Sequence, residues 1–394
     1  MRVALVTPYD QAVPGGVPEH IWNLSAHLVR RGHDVHVIAP SSRPIAIPGV
    51  RVHVATSRVL PVRVNGATAR VALGPAAAGR VVGVIARIDA DVVHVHEPCV
   101  PLLGPAAVFA SRAPVVATFH AARDGRRTKP TWLGAALVAI ARRIDRAIAV
   151  SDVARLTAGT YFRRGIEVVP NGVDVASFEG ARERPEAFHD GKPCVLTLGR
   201  LDPRKGHAVL VEAFGRDKHL RTRARLVVAG PYSAREAVAW TQSCARAGIE
   251  DVRLVGELDR DARASYLRHA SVTCAPATGN ESQGVVLLEA MAACSPVVAA
   301  ANAGYRGLVI HGVNGLLVEP GDPDALGRTL RVALHDSCLR ARLIEAGMVT
   351  ARAHDWTIVA SAVERVYRSS LGRVSATAGA GASIGSDAHV AGRA

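Results

Sequence analysis

Gly279-Asn280-Glu281-Ser282-Gln283-Gly284-Val285-Val286-Leu287-Leu288-Glu289-Ala290-Met291 leads through Cys294-Ser295-Pro296 into Val297-Val298-Ala299-Ala300. The order is loop, apolar helix, strand. Four consecutive apolar residues at 285–288 do not suit an exposed helix, whose apolar positions recur three and four apart. The helix is therefore buried, and its glutamates need a reason to be there. Glu281 lies in the loop and Glu289 one to two turns into the helix. The loop aims the free N–H groups of a helix start at an anion. Glu281 meets the ligand from the loop, and Glu289 reaches another part of it. A nucleotide-sugar, with phosphates and hydroxyls, fits both. Two glutamates at this spacing also occur on solvated helices, so spacing alone does not decide.

Outward from this unit the same rhythm repeats. Strand-like runs stand at 3–7, 34–39, 50–56, 91–96, 115–119 and 146–151, and a helix is expected over 20–31, ended by Gly32. The pattern breaks at Val168-Val169-Pro170-Asn171-Gly172-Val173-Asp174 and the polar stretch 179–192. It restarts with strands at 194–199, 225–230, 252–256, 271–275 and 296–301. Strands alternating with helices make parallel sheets. The expected fold is α/β, with two Rossmann-like domains facing across a cleft where the strands' carboxyl ends gather ligands. The expected divisions are one Rossmann-like domain over 1–172, a second over 173–355, a helix over 356–371 packing back on the first, and a disordered tail over 372–394.

The 394 residues carry 48 Lys+Arg against 34 Asp+Glu, a net charge of +14. That excess favours anionic partners, although arginine-rich codon usage is a second cause. Aromatics at 4% and the lack of a recognition motif argue against a nucleic-acid binder. Six scattered cysteines without a C-x-x-C pair read as reduced thiols rather than a disulfide framework or zinc site. Met1-Arg2 leads straight into a strand, and no apolar stretch is long enough to span a membrane. The expected location is cytoplasmic, extending to the inner face of the cell membrane.

Pro14-Gly15-Gly16-Val17 follows the first strand and lets backbone approach a ligand; a plain strand-to-helix turn explains it as well. Leu198-Gly199-Arg200-Leu201-Asp202-Pro203-Arg204-Lys205-Gly206-His207 puts three cations at a strand's carboxyl end. Guanidinium and ammonium groups there suit a pyrophosphate leaving group. His120 ends the strand 115–119, placed to contact a ligand in the cleft, although a lone histidine is more often structural. His94 and His96 share one side of a strand without a third clustered ligand, so packing or hydrogen bonding suits them better than metal. The pairs Asp89/Asp91, Asp259/Asp261 and Asp322/Asp324 could hold a divalent ion, but caps and strand starts explain them better. No metal site is expected.

Glu281 and Glu289 resemble the E-x7-E motif of retaining glycosyltransferases with the GT-B fold. Further segments resemble family 4 of those enzymes over roughly 1–371, and within it the actinobacterial phosphatidyl-myo-inositol α-mannosyltransferases. These are Thr7-Pro8-Tyr9, Val13-Pro14-Gly15-Gly16-Val17, Asn65-Gly66 with Ala69-Arg70, His94-Val95-His96-Glu97-Pro98, Ala117-Thr118-Phe119-His120, Ala149-Val150-Ser151-Asp152 and Pro170-Asn171-Gly172-Val173-Asp174-Val175-Ala176-Ser177-Phe178.

The resemblance implies a retaining hexosyltransferase moving mannose from GDP-mannose to an anionic inositol-containing lipid such as phosphatidyl-myo-inositol. The alternative is a soluble GDP- or UDP-sugar-dependent enzyme acting on another polyol or a secondary metabolite. No cofactor is implied beyond the donor, with Mg²⁺ at most stimulatory. By the same resemblance Gly16, Arg200, Arg204 and Lys205 hold the donor's phosphates, while Leu258, Asp259, Arg260 and Arg263 border the base. Glu281, Ser282, Gln283, Gly284 and Val285 cradle the hexose and β-phosphate, Glu289 holds the ribose, and His120 stands beside the anomeric centre. His120, Arg200, Lys205 and Glu281 form the implied catalytic set; Tyr9, Asn65 and Arg70 serve the acceptor.

The chain departs from the family pattern at Pro18, Val64, Ala121-Ala122 and Gly125. Its basic lipid-facing cluster thins to Arg80 and Arg87, while Arg123, Arg126, Arg127 and Lys129 gather after His120. The donor half is intact and the acceptor half is altered.

Overall fold

The computed structural model describes residues 1–64, 67–122, 133–180 and 183–382. Strands form on the apolar runs: β1 (Arg2–Val6), β2 (Asp34–Ala39), β3 (Arg51–Val54), β4 (Leu60–Val64), β5 (Ala67–Val71), β6 (Val92–His96), β7 (Val115–Phe119), β8 (Arg146–Ala149) and β9 (Ile166–Val168). All but β4 and β5 make one parallel sheet in the order β3-β2-β1-β6-β7-β8-β9. Its centre is buried on both faces, which is why β1, β6 and β7 read as unbroken apolar runs rather than alternating ones.

The two faces still separate by the period of two. Ala4, Val6, Val93, Val95, Ala117 and Phe119 pack with Val81, Ile85 and Leu103 on one side. Val3, Leu5, Val35, Val37, Val92 and Val116 pack with Ile21, Leu24 and Leu28 on the other. The last three lie on the helix Gly16–Arg30, which begins four residues before the expected start.

The second sheet follows the same plan: β10 (Cys194–Leu198), β11 (Arg225–Ala229), β12 (Val252–Gly256), β13 (Val272–Ala275), β14 (Val297–Ala300) and β15 (Leu316–Val318). It is ordered β12-β11-β10-β13-β14-β15. Each sheet reverses its strand order once, between β1 and β6 in the first and between β10 and β13 in the second. Such switch points open crevices at the carboxyl ends of their strands. The expected α/β fold of two Rossmann-like parallel sheets is the observed one.

Four short strands were not expected. β9 and β15 are three residues each at sheet edges, too short to show a period. The hairpin β4–β5 lies outside both sheets. It is tied to the loop after β1 by a bridge between Tyr9 and Val71 and by Asp10 N–H donating to the Arg70 carbonyl at 3.0 Å.

The closing helix Trp356–Ala382 leaves the second half and buries Trp356, Val359, Val363, Val366 and Tyr367 among the core residues of β1 and the first helix. It runs past the expected end at Leu371 to Ala382. Thus the expected tail over 372–394 begins as helix, while 383–394 lie outside the described residues.

Candidate active site

The loop after β10 turns tightly because Asp202 caps it, accepting from the Arg204 N–H at 3.1 Å. Gly206 closes the turn at φ +73°, and a Cβ there would lie 1.9 Å from the Pro276 carbonyl oxygen. That close approach presses the cationic loop against the one after β13. Lys205 Nζ lies 2.8 Å from Glu281 Oε1. Arg204 Nη1 lies 3.8 Å from the same oxygen and donates to the Asn280 carbonyl at 3.2 Å. Arg200 shares the loop, half-buried, and its carbonyl oxygen is 3.0 Å from His207 Nε2.

Gly284, at φ +93°, lets the chain enter the helix Val285–Ala292; a Cβ there would meet the Tyr305 ring at 2.7 Å. The helix buries Leu287, Leu288, Ala290 and Met291, as its apolar sequence requires. Glu289 points to Arg263, whose Nη1 donates to Glu289 Oε1 at 2.9 Å. Burial pushes the Glu289 carboxyl up to about 7, against the pull of Arg263. Burial opposes the charge of Arg263, yet Glu289 and Glu19 attract it strongly enough to raise its pKa. Arg263 Nη2 reaches Glu19 Oε1, on the first helix, at 3.1 Å. Glu19 thus joins the cleft although its sequence position gave no sign of it.

Gln283 is buried. Its Oε1 accepts from Asn171 N–H at 2.7 Å and Nδ2 at 2.8 Å, fastening the two halves. Ser282 Oγ is 3.3 Å from Ser151 Oγ. Asp259 caps the helix Arg260–His269 by accepting from Ala262 N–H at 2.8 Å. Arg260 pairs with Asp174, and Leu258 packs on the core. Asp259's carboxylate is thus committed to its helix. The Asp322 carboxylate likewise accepts from Ala325 N–H at 2.9 Å, and Asp91 from Arg2 N–H at 2.7 Å. A capping or strand-start role for these carboxylates agrees with the expectation.

Across the cleft, Gly16 opens the first helix with nothing within 4 Å of where a Cβ would stand. One turn on, His20 is buried and meets two histidines of the parallel strands. His96 Nδ1 and His120 Nε2 are 3.0 Å apart, and His20 Nδ1 is 2.9 Å from Asn171 Oδ1. A third neighbour for the His94/His96 pair therefore exists, contrary to expectation. It comes from a helix far away in sequence, and it meets His96. His94 instead turns to Tyr367 Oη and Thr118 Oγ1, both at 2.7 Å. Burial lowers the pKa of His20 to about 4 and of His94 to about 3, and drives those of His96 and His120 well down.

Glu97 Oε1 accepts from His120 N–H at 2.5 Å and Ala121 N–H at 2.7 Å, fixing the end of β7. Tyr9 is half-buried nearby; burial first, and then the Glu97 carboxylate, raise its hydroxyl pKa. Arg70 is exposed on the hairpin strand that Tyr9 joins. Asn65 and the basic loop 123–129 lie outside the described residues.

Comparison with known proteins agrees with this architecture. Residues 14–177 match the family "Glycosyltransferase Family 4", and residues 180–349 match "Glycosyl transferases group 1". A protein of Mycobacterium tuberculosis named phosphatidyl-myo-inositol mannosyltransferase is 37% identical over 94% of this chain and 98% of its own. A D-inositol 3-phosphate glycosyltransferase of Xylanimonas cellulosilytica is 31% identical over 93% of this chain and 96% of its own. Among solved structures, a glycosyltransferase of Rickettsia africae superposes with a TM-score of 0.76 at 17% identity, covering 94% of this chain and 99% of its own. With a full-length relative at this identity and both halves matched, the chain belongs to the family-4, group 1 glycosyltransferases of GT-B fold and is an enzyme of that family.

Proposed function

We propose that this enzyme transfers mannose from GDP-mannose to an inositol-containing anionic lipid of the phosphatidyl-myo-inositol type, with retention. One observation carries the reading of the donor side. Lys205, Arg204 and Glu281 meet at one switch point, while Glu289 stands on the helix into which the Glu281 loop leads. The cations suit the diphosphate, and Glu281 suits the hexose hydroxyls once the phosphate takes over Lys205. Glu289 suits the ribose. As the anomeric C–O bond to phosphate breaks, a bond to the acceptor hydroxyl forms on the same face, and the departing phosphate oxygen takes the hydroxyl proton. Lys205 and the neighbouring arginines would stabilise the charge gathering on that leaving group. This route needs no pair of carboxylates flanking the sugar.

The lipid acceptor is supported by the name of the mycobacterial relative at 37% identity. Peripheral association with the cytoplasmic membrane face belongs to the same proposal. It is supported by Val82 and Phe109, exposed on the first half's helices Pro75–Ile88 and Leu103–Ala110. No helix among the described residues is long and apolar enough to cross a membrane. A soluble phosphorylated polyol is the second reading, favoured by the Xylanimonas relative's name.

The test is mass spectrometry of products after offering GDP-mannose, GDP-glucose, UDP-glucose and UDP-galactose with phosphatidylinositol vesicles or soluble inositol phosphate. Mannosylated phosphatidylinositol from GDP-mannose supports the proposal. Product from the soluble acceptor alone selects the second reading and overturns the lipid one.

A further inference from the structure

His20, His96 and His120 come from the first helix and the ends of β6 and β7, and one ring nitrogen of each lies within 4.8 Å of the others. Their ring centroids stand 4.8 Å, 5.3 Å and 5.3 Å apart. Zinc–imidazole bonds of about 2.0–2.1 Å place the centroids of three tetrahedrally arranged rings roughly 5 Å apart. The cluster already has that spacing.

Two buried nitrogens, His20 Nε2 and His96 Nε2, have no hydrogen-bond partner, and an unpaired buried polar atom is costly. His20 Nδ1 faces the Asn171 amide oxygen at 2.9 Å. As a donor there it leaves the lone pair on Nε2, which is how an outer-shell partner prepares a metal-binding imidazole. Asn171 is itself held by Gln283. His120 is half-buried at the cleft, so an ion can enter there and keep an open position.

We propose that His20, His96 and His120 form a site for Zn²⁺ or a similar borderline divalent ion, and that filling it stops sugar transfer by drawing His120 out of place. A neutral imidazole ligates through its lone pair, so the proton between His96 and His120 shifts to the other nitrogen of the ring that carries it, and no proton is released. The ion inhibits rather than serves the reaction. The binding claim stands apart from the choice of sugar and acceptor.

The test uses the full chain, stripped with a chelator and titrated with Co²⁺. A visible ligand-field band saturating near one equivalent, without thiolate charge-transfer absorption, supports the site. Zn²⁺ should abolish the band and inhibit transfer, and the chelator should restore activity. His20→Gln and His96→Gln, each with an unchanged circular dichroism spectrum, should lose the band and resist Zn²⁺ by at least ~10-fold, the lower bound of second-shell effects. The double variant His219→Gln/His335→Gln removes the surface pair 2.6 Å apart and should keep both. A missing band, a thiolate band, or a band retained in folded His20→Gln overturns the proposal.

Discussion

Lys205 Nζ and Glu281 Oε1 are 2.8 Å apart in a partly buried setting, so removing either charge leaves the other poorly compensated. If Lys205 holds the leaving diphosphate, Lys205→Ala lowers turnover by ~10²-fold or more, the scale of a lost transition-state donor. Arg200→Ala should act in the same direction. Steady-state kinetics check this, and near-normal turnover in both variants would sink the assignment. Glu289 gives a pH prediction. Its folded pKa is raised to about 7 by burial, so from the ordinary carboxyl range up to about 7 the folded chain holds a proton that the unfolded chain has released. Stability contributed by this group is present at low pH and declines across that window. Urea denaturation at pH 5 and pH 7.5 should show a smaller decline in Glu289→Gln than in the parent. An equal decline in both would place the burden elsewhere.

At the scale of elements, the closing helix Trp356–Ala382 is the piece that ties the chain's end to its beginning. Glu364 accepts from Arg368 at 2.6 Å and pairs with Arg31 of the first helix's end at 2.7 Å. Burial works against its charge, but Arg368 and Arg31 win and lower its pKa to about 2. The sign is opposite to that of Glu289. The stabilisation is full above the ordinary glutamate range and is lost as pH falls toward about 2. Glu364→Gln should lower the melting temperature at pH 7 and converge with the parent near pH 2.5; a constant gap at both would refute the charge argument.

The sheets were legible because β1, β7 and β10 are buried on both faces and their apolar runs end in Gly, Pro or polar residues. β9 and β15 were not, since three residues are too few to show a period, nor was the β4–β5 hairpin, which lies outside both sheets. The same limit hid His20: its place beside His96 and His120 depends on packing a helix onto a sheet across 76 and 100 positions, which local spacing does not encode. Gln283 shows the converse. Its motif position was readable, but its side chain's bond to Asn171 was not.

At the scale of the whole molecule, polar bridges join the two halves across the cleft. Arg263 reaches Glu19, Gln283 reaches Asn171, and Ser282 reaches Ser151. Apart from Gly16 and His120, the proposed donor residues belong to the second half, while the proposed acceptor residues Tyr9 and Arg70 belong to the first. If the halves act separately on donor and acceptor, their variants should separate in kinetics. Arg70 is exposed on β5, where simple attraction is screened over a Debye length of ~8 Å at physiological salt. A hydrogen-bonded contact with an acceptor phosphate survives moderate salt better, because charge-assisted bonds are short and partly desolvated. Arg70→Ala should therefore raise the acceptor KM several-fold at both 50 mM and 200 mM salt, with donor KM unchanged. Arg263→Ala should do the reverse, raising donor KM through the loss of Glu289's partner. Measuring both constants for both variants checks the division. An unshifted acceptor KM in Arg70→Ala would remove the anionic-acceptor assignment from the hairpin and make a neutral acceptor the better reading.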